Sequence, residues 1–219
     1  MTNEAMKDEV LETAKRFYAK GLVEGTSGNV SGRTPDGNVV MTPSSIAYEV
    51  MTLSDLVTVD LDGEIVEGDT SPTTEKSLHL ECYRRYPEVR GVMHSHPLYA
   101  SMFAVAREPI PAIIEEVVVY LGGEIPVCEY RQTGTDDLGR EAAGHLAERS
   151  VALLANHGMI AVGKSANDAL HASLVAERTA QIVWGARQLG TPHAVPDKVN
   201  QDFANVYKLV RETMWTSDA

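Results

Sequence analysis

The stretch Val151-Ala152-Leu153-Leu154-Ala155-Asn156-His157-Gly158-Met159-Ile160-Ala161-Val162 reads as two apolar β runs on either side of a polar interruption, a hairpin-like pair. Upstream, from Gly25 to Glu67, short runs of the same kind recur: Asn29-Val30-Ser31, Asn38-Val39-Val40-Met41 and Leu56-Val57-Thr58-Val59. The pairs Asp36-Gly37 and Asp62-Gly63 look like hairpin turns, so these strands are expected to be antiparallel neighbours. Further strands are expected at Val89 to Met93, Val117-Val118-Val119 and Ile125-Pro126-Val127. Helical patterns surround them. Val10, Leu11, Ala14, Phe17 and Tyr18 recur at helical spacing between Glu4 and Lys20, with Gly21 as the stop. Helices are also expected from Pro72 to Tyr86, Leu98 to Ala106, Asp136 to Arg149, Ala166 to Leu189 and Lys198 to Met214. No repeat and no linker rich in Gly, Ser or Pro divides the chain. Residues 1–219 therefore read as one α+β domain, a three-layer α/β/α arrangement with a mostly antiparallel central sheet flanked by helices.

With 219 residues, 43% hydrophobic and 23% charged, the chain is long enough for a sizeable core and lies in the globular range. Its formal net charge of −12 repels phosphate backbones, and the densest basic pair, Arg84-Arg85, is flanked by Glu81 and Glu88. Nucleic acid is not an expected partner. Nor is a membrane, because the apolar run from Ile113 to Leu121 is broken by Glu115 and Glu116. Met1-Thr2-Asn3-Glu4 lacks the basic start and apolar run of a secretory signal, so a cytoplasmic location is expected. Cys82 and Cys128 have no CxxC spacing and read as small buried core residues.

Chemistry concentrates at Met93-His94-Ser95-His96-Pro97, where an apolar run ends in two histidines. Residues i and i+2 of an extended chain point to the same face, so two imidazoles there can chelate one divalent ion; a hydrogen-bonded structural pair is the alternative. His157, in the turn between two apolar β runs, can complete a three-histidine set. Three neutral nitrogen ligands leave positions open for substrate oxygens, the arrangement of a catalytic zinc site. His79, four residues after Glu75, reads as a side-chain hydrogen-bonding residue, and His145, His171 and His193 have no partner spacing. Glu75, in Pro72-Thr73-Thr74-Glu75 at a helix start, reads by default as a capping glutamate. The free N–H groups of that turn, and the small hydroxyl residues of Gly25-Thr26-Ser27-Gly28-Asn29 and Thr42-Pro43-Ser44-Ser45, suit a phosphate or polyol equally well.

Taken in this order, these five segments resemble the class II aldolase/adducin family over about residues 5–190. The resemblance implies an enzyme holding zinc, or another divalent ion such as manganese or cobalt, through His94, His96 and His157. Glu75 would be the acid/base, and Ser27, Gly28, Asn29, Ser44, Ser45, Thr73 and Thr74 would bind the substrate's phosphate. The implied reaction is cleavage of a small phosphorylated ketose through a metal-stabilised enediolate, in a homotetramer with active sites between subunits. The family's sugar-phosphate 4-epimerases and decarboxylases of hydroxylated acids share that chemistry and are alternatives, and adducin-type relatives use the fold for protein interaction alone. One departure concerns the aldehyde-side proton donor: a family tyrosine after Ile-Pro-Ala-Ile is replaced in Ile110-Pro111-Ala112-Ile113-Ile114-Glu115-Glu116. Glu115, Glu116, Tyr120 or a C-terminal residue is left to serve, with Tyr207 and Trp215 expected to approach a neighbouring subunit's metal.

Overall fold

The structure, a computed structural model, describes residues 2–216. Its strands are β1 (Asn29–Arg33), β2 (Val39–Met41), β3 (Val57–Val59), β4 (Ile65–Glu67), β5 (Gly91–Ser95), β6 (Val127–Cys128), β7 (Val151–Leu154) and β8 (Gly158–Gly163). Its helices are α1 (Asn3–Ala19), α2 (Lys76–Arg85), α3 (Leu98–Ala106), α4 (Glu115–Leu121), α5 (Asp136–Gly144), α6 (Ala166–Leu189) and α7 (Asp197–Met214). The strands form one sheet in the order β4-β3-β2-β1-β5-β8-β7-β6. Every pairing is antiparallel except β6 with β7, so the sheet is mixed at one edge.

Alternation along β5 separates two cores. Val92 joins the cluster under α2 and α5, with Leu78, Tyr83, Leu138 and Ile160. Met93 joins the opposite cluster with Val10 and Phe17 of α1 and Leu170 of α6. α3, α4 and the remainder of α6 extend that second layer over β7 and β8. Successive strand side chains point to opposite faces, and this gives the three layers. Each such fully buried large side chain stabilises the fold by about 1.5–3 kcal/mol.

Side-chain caps mark the starts of α1, α5 and α6. Thr2 accepts a hydrogen bond from the Ala5 amide at 3.2 Å, Thr135 from Leu138 at 3.3 Å and Ser165 from Asp168 at 3.0 Å. The expected strand at Val117-Val118-Val119 is instead the middle of α4. Glu115 and Glu116 place negative charge in its first turn, where the helix dipole favours it, and Gly122 ends it at φ 89°. Val117, Val118 and Leu121 then bury themselves in the second core, so tertiary packing overrides the β preference of the valines. Of the expected run Ile125-Pro126-Val127 only Val127 lies in a strand, β6, which Cys128 completes, since Pro126 has no N–H to give. α5 stops at Gly144, five residues short of the expected Arg149; Arg211 donates to the carbonyls of Leu146 and Arg149 in the loop that follows.

Candidate metal centre

Register carries the site. Across the sheet, Asn29 of β1 lies opposite His94 of β5, with Ile160 of β8 opposite it on the other side. His94 shares its strand face with Val92, the face covered by α2, and Glu75 is the N-cap residue of α2. His96 follows just beyond the strand end. His157 enters from the β7–β8 turn, where Asn156 adopts a left-handed conformation at φ 57°. That turn fits against β5 only because residue 158 is glycine: a Cβ there would lie 2.3 Å from the Ser95 carbonyl oxygen and 2.7 Å from the His96 ring.

His94, His96 and His157 converge. The Nε2 atoms of His94 and His96 are 2.8 Å apart, and one ring nitrogen from each of the three histidines lies within 4.8 Å of the others. His94 Nδ1 donates to the Met159 carbonyl at 2.9 Å, which leaves the Nε2 lone pair aimed into the cluster. Glu75 Oε2 lies 3.2 Å from that same nitrogen, and Oε1 lies 3.5 Å from His157 Nε2. Lone pairs of a neutral imidazole and a carboxylate repel at this distance unless a positive charge lies between them. A divalent cation meets that demand and uses the imidazole nitrogens as ligands, so this donor set fits one.

The Glu75 side chain does not cap α2. It is 7% exposed, and both carboxylate oxygens are held: Oε2 accepts from Asn29 Nδ2 at 3.0 Å and Oε1 from Thr133 Oγ1 at 2.8 Å. Burial opposes its ionisation, but the neighbouring His94, the Asn29 amide, His157 and the Thr133 hydroxyl outweigh burial and lower its pKa. For His94 and His96 burial dominates and lowers the pKa of each, favouring the neutral form that binds a metal.

Three hydroxyl-rich segments gather beside this centre. The Ser44 amide donates to the Ser71 carbonyl at 2.9 Å, tying the 42–45 loop to the segment that carries Thr73 and Thr74. Tyr48 donates to the carbonyls of Gly28 at 2.8 Å and Ser27 at 3.1 Å, tying in the third segment. Ser45 is held at φ 63°, uncommon for a serine. Thr74 and Ser45 are exposed, Ser27, Gly28 and Ser44 half-buried, and Asn29 and Thr73 buried, with Thr73 Oγ1 accepting from the Glu75 amide at 3.2 Å.

Other candidates lie apart from the cluster in their bonding. Glu115 and Glu116 are exposed on the first turn of α4, and Tyr120 packs edge-on against His171 of α6 with ring centroids 4.8 Å apart. Tyr207 and Trp215 are buried within their own chain, Tyr207 bonded to Ser150 at 2.7 Å and Trp215 under Arg211. Cys82 and Cys128 are free and buried, as read from the sequence. Sequence reasoning missed Thr133 and Tyr48. The hydroxyl and glycine cluster Thr133-Gly134-Thr135 resembles the other loop segments and was a usable signal.

An α/β/α layer structure with three imidazoles and a buried carboxylate at the end of a central strand defines a class of divalent-metal site. The family model for the class II aldolase and adducin N-terminal domain matches residues 8–184, and the chain belongs to that family. It is similar to the structure of an L-fuculose 1-phosphate aldolase at 31% identity, covering 95% of this chain and 98% of that one with a TM-score of 0.89. It is also similar to YgbL, a putative aldolase/epimerase/decarboxylase from Klebsiella pneumoniae, at 27% identity over 92% of this chain and 99% of that one, TM-score 0.82. The L-fuculose-1-phosphate aldolase from Thermus thermophilus matches at 29% identity over 86% and 98%, TM-score 0.75. Family and relatives together support an enzyme, of a family whose aldolases use a divalent metal.

Proposed function

We propose that this protein is a zinc-dependent aldolase that cleaves a small phosphorylated ketose. The observation that carries the proposal is the contact of Glu75 with His94 and His157 inside the three-histidine cluster. His94, His96 and His157 would hold the ion, and the three-imidazole set suits zinc, with manganese or cobalt as substitutes. Bound there, the cation supplies Lewis-acid polarisation of a substrate carbonyl and its neighbouring hydroxyl.

The chain's own residues account for the rest. Ser27, Gly28, Asn29, Ser44, Ser45, Thr73 and Thr74 offer uncharged donors for the phosphate, which suits a protein of net charge −12. In the condensation direction, ionised Glu75 removes a proton from the carbon beside the carbonyl, and that carbon attacks an aldehyde. Cleavage is the reverse, with Glu75 returning the proton to the same carbon as the aldehyde departs. The group that exchanges a proton with the aldehyde oxygen is Glu115, Glu116, Tyr120 or a C-terminal residue, brought by a second copy of the chain. A homotetramer is part of this proposal, supported by the stripe Leu98, Met102 and Val105 on α3, exposed directly after His96. Residues 1–219 act as one unit, and the setting is cytoplasmic; none of the described helices is long and apolar enough to cross a membrane.

The similarity to YgbL supports a second reading, epimerase or decarboxylase chemistry at the same centre. A screen of zinc-loaded protein against phosphorylated ketoses and hydroxylated acids, read by product mass and by chromatographic separation of epimers, separates the three. Two carbonyl fragments support the aldolase, an unchanged mass with altered stereochemistry the epimerase, and loss of carbon dioxide the decarboxylase. Light scattering on the same sample tests the assembly, and a fully active monomer contradicts it.

A further inference from the structure

Behind Glu75, a line of side chains runs into the protein interior between β1 and α2. Asn29, whose Nδ2 bonds Glu75, has its Oδ1 2.5 Å from His79 Nε2. His79 Nδ1 is 2.6 Å from Ser31 Oγ, and Ser31 Oγ is 2.8 Å from the Tyr83 hydroxyl. His79 and Ser31 are fully buried and Tyr83 and Asn29 nearly so. The placement follows from sequence periodicity: Asn29 and Ser31 are i and i+2 on one face of β1, and Glu75, His79 and Tyr83 are spaced by four along α2. Two short repeats thus face each other along their lengths.

The hydrogen-bond directions in this line are fixed from its outer end. A carboxylate only accepts, so Asn29 must present its NH2 to Glu75 and its oxygen to His79. That oxygen also only accepts, so the His79 proton is on Nε2 and Nδ1 is an acceptor for the Ser31 hydroxyl. Ser31 in turn accepts from Tyr83. Turned the other way, Asn29 would set an oxygen against the carboxylate. We propose that His79 is a positioning residue for Glu75: it locks the Asn29 carboxamide so that an N–H, and not a carbonyl, faces the carboxylate. The assignment of the proton carrier to Glu75 comes from the reading above, while the lock itself rests only on the four-bond line. Burial agrees with a neutral ring, lowering the His79 pKa to about 4.

Two measurements test this. In zinc-loaded protein labelled with 15N and 13C, long-range 15N–1H spectra at neutral pH should show His79 protonated on Nε2 alone. In His79→Phe, which keeps a ring but no donor, the Asn29 side-chain amide protons should exchange with solvent at least about tenfold faster, the loss of one buried hydrogen bond. His79→Gln, which keeps a donor and an acceptor, should restore most of the protection. A proton on Nδ1 in the native protein, readable whether or not any variant folds, overturns the proposal, as does an Asn29 amide indifferent to His79→Phe. In cleavage assays with L-fuculose 1-phosphate, His79→Phe should lower kcat about tenfold in the native background and not at all beyond the loss caused by Asn29→Ala. Full additivity of the two losses overturns the proposal. Absence of cleavage by the native protein counts against the aldolase reading alone, because the spectra still decide the lock.

Discussion

His94 Nε2 faces Glu75 Oε2 at 3.2 Å while the opposite ring nitrogen donates to the Met159 carbonyl. The backbone of β8 thereby decides which nitrogen of His94 is available, and the cross-strand neighbour Asn29 decides which atom touches Glu75. Two residues far apart in sequence are each oriented by a partner that is itself fixed by the sheet.

If Glu75 carries a proton in the reaction, Glu75→Gln removes the base and keeps the shape. We expect kcat to fall by about 10²- to 10⁴-fold with metal content essentially unchanged. The assay uses the substrate found in the screen, with elemental analysis of both proteins. Turnover within a few-fold of native would leave Glu75 a structural residue.

Burial of His79 makes stability depend on pH. Its pKa falls from 6.5 to about 4 on folding, so the folded protein binds this proton less well than the unfolded chain. The stability held by the neutral ring is complete above about pH 6.5 and is lost as pH falls from there toward 4. At pH 4.5 the loss from this group is on the order of 2 to 3 kcal/mol. Urea unfolding of native and His79→Gln proteins at pH 7.5 and 4.5 checks it: the native protein should lose more by about that amount. Equal losses would refute the assignment.

Adding one methyl at Gly158 tests how closely the β7–β8 turn must approach β5. Its Cβ would meet the Ser95 carbonyl oxygen, a backbone atom with little room to yield. Gly158→Ala should cost about 1–3 kcal/mol of stability and weaken metal binding by moving His157 from His96. Unfolding curves and zinc titration read the two effects, and an unperturbed zinc affinity would show that the turn tolerates displacement.

Much of this site is written in short-range patterns. The i and i+2 spacing of His94 and His96 pointed to a convergent pair, which the structure forms with His94 in β5 and His96 just past its end, and Asn156-His157-Gly158 marked a turn between apolar runs. The features that escaped are decided by tertiary neighbours. The three valines of α4 carry a β preference that the burial of Val117 and Val118 in the core shared with α6 and β7 overrules. Thr133 reaches Glu75 across 58 positions of sequence, with no periodic signal linking the two. His79 read as a hydrogen-bonding residue on the face of Glu75, yet its partners are Asn29 and Ser31, which only the register of β1 against α2 could supply.

The central claim is that the three-histidine centre performs metal-dependent carbon–carbon cleavage. Its most direct test gives zinc-loaded native protein and the His94→Ala/His96→Ala double variant L-fuculose 1-phosphate in parallel, with metal read by elemental analysis and products by mass. We predict one divalent ion per native chain and a keto phosphate plus an aldehyde as products, with neither stoichiometric metal nor products from the variant. Full metal content in the double variant, or cleavage at the native rate, would contradict the account.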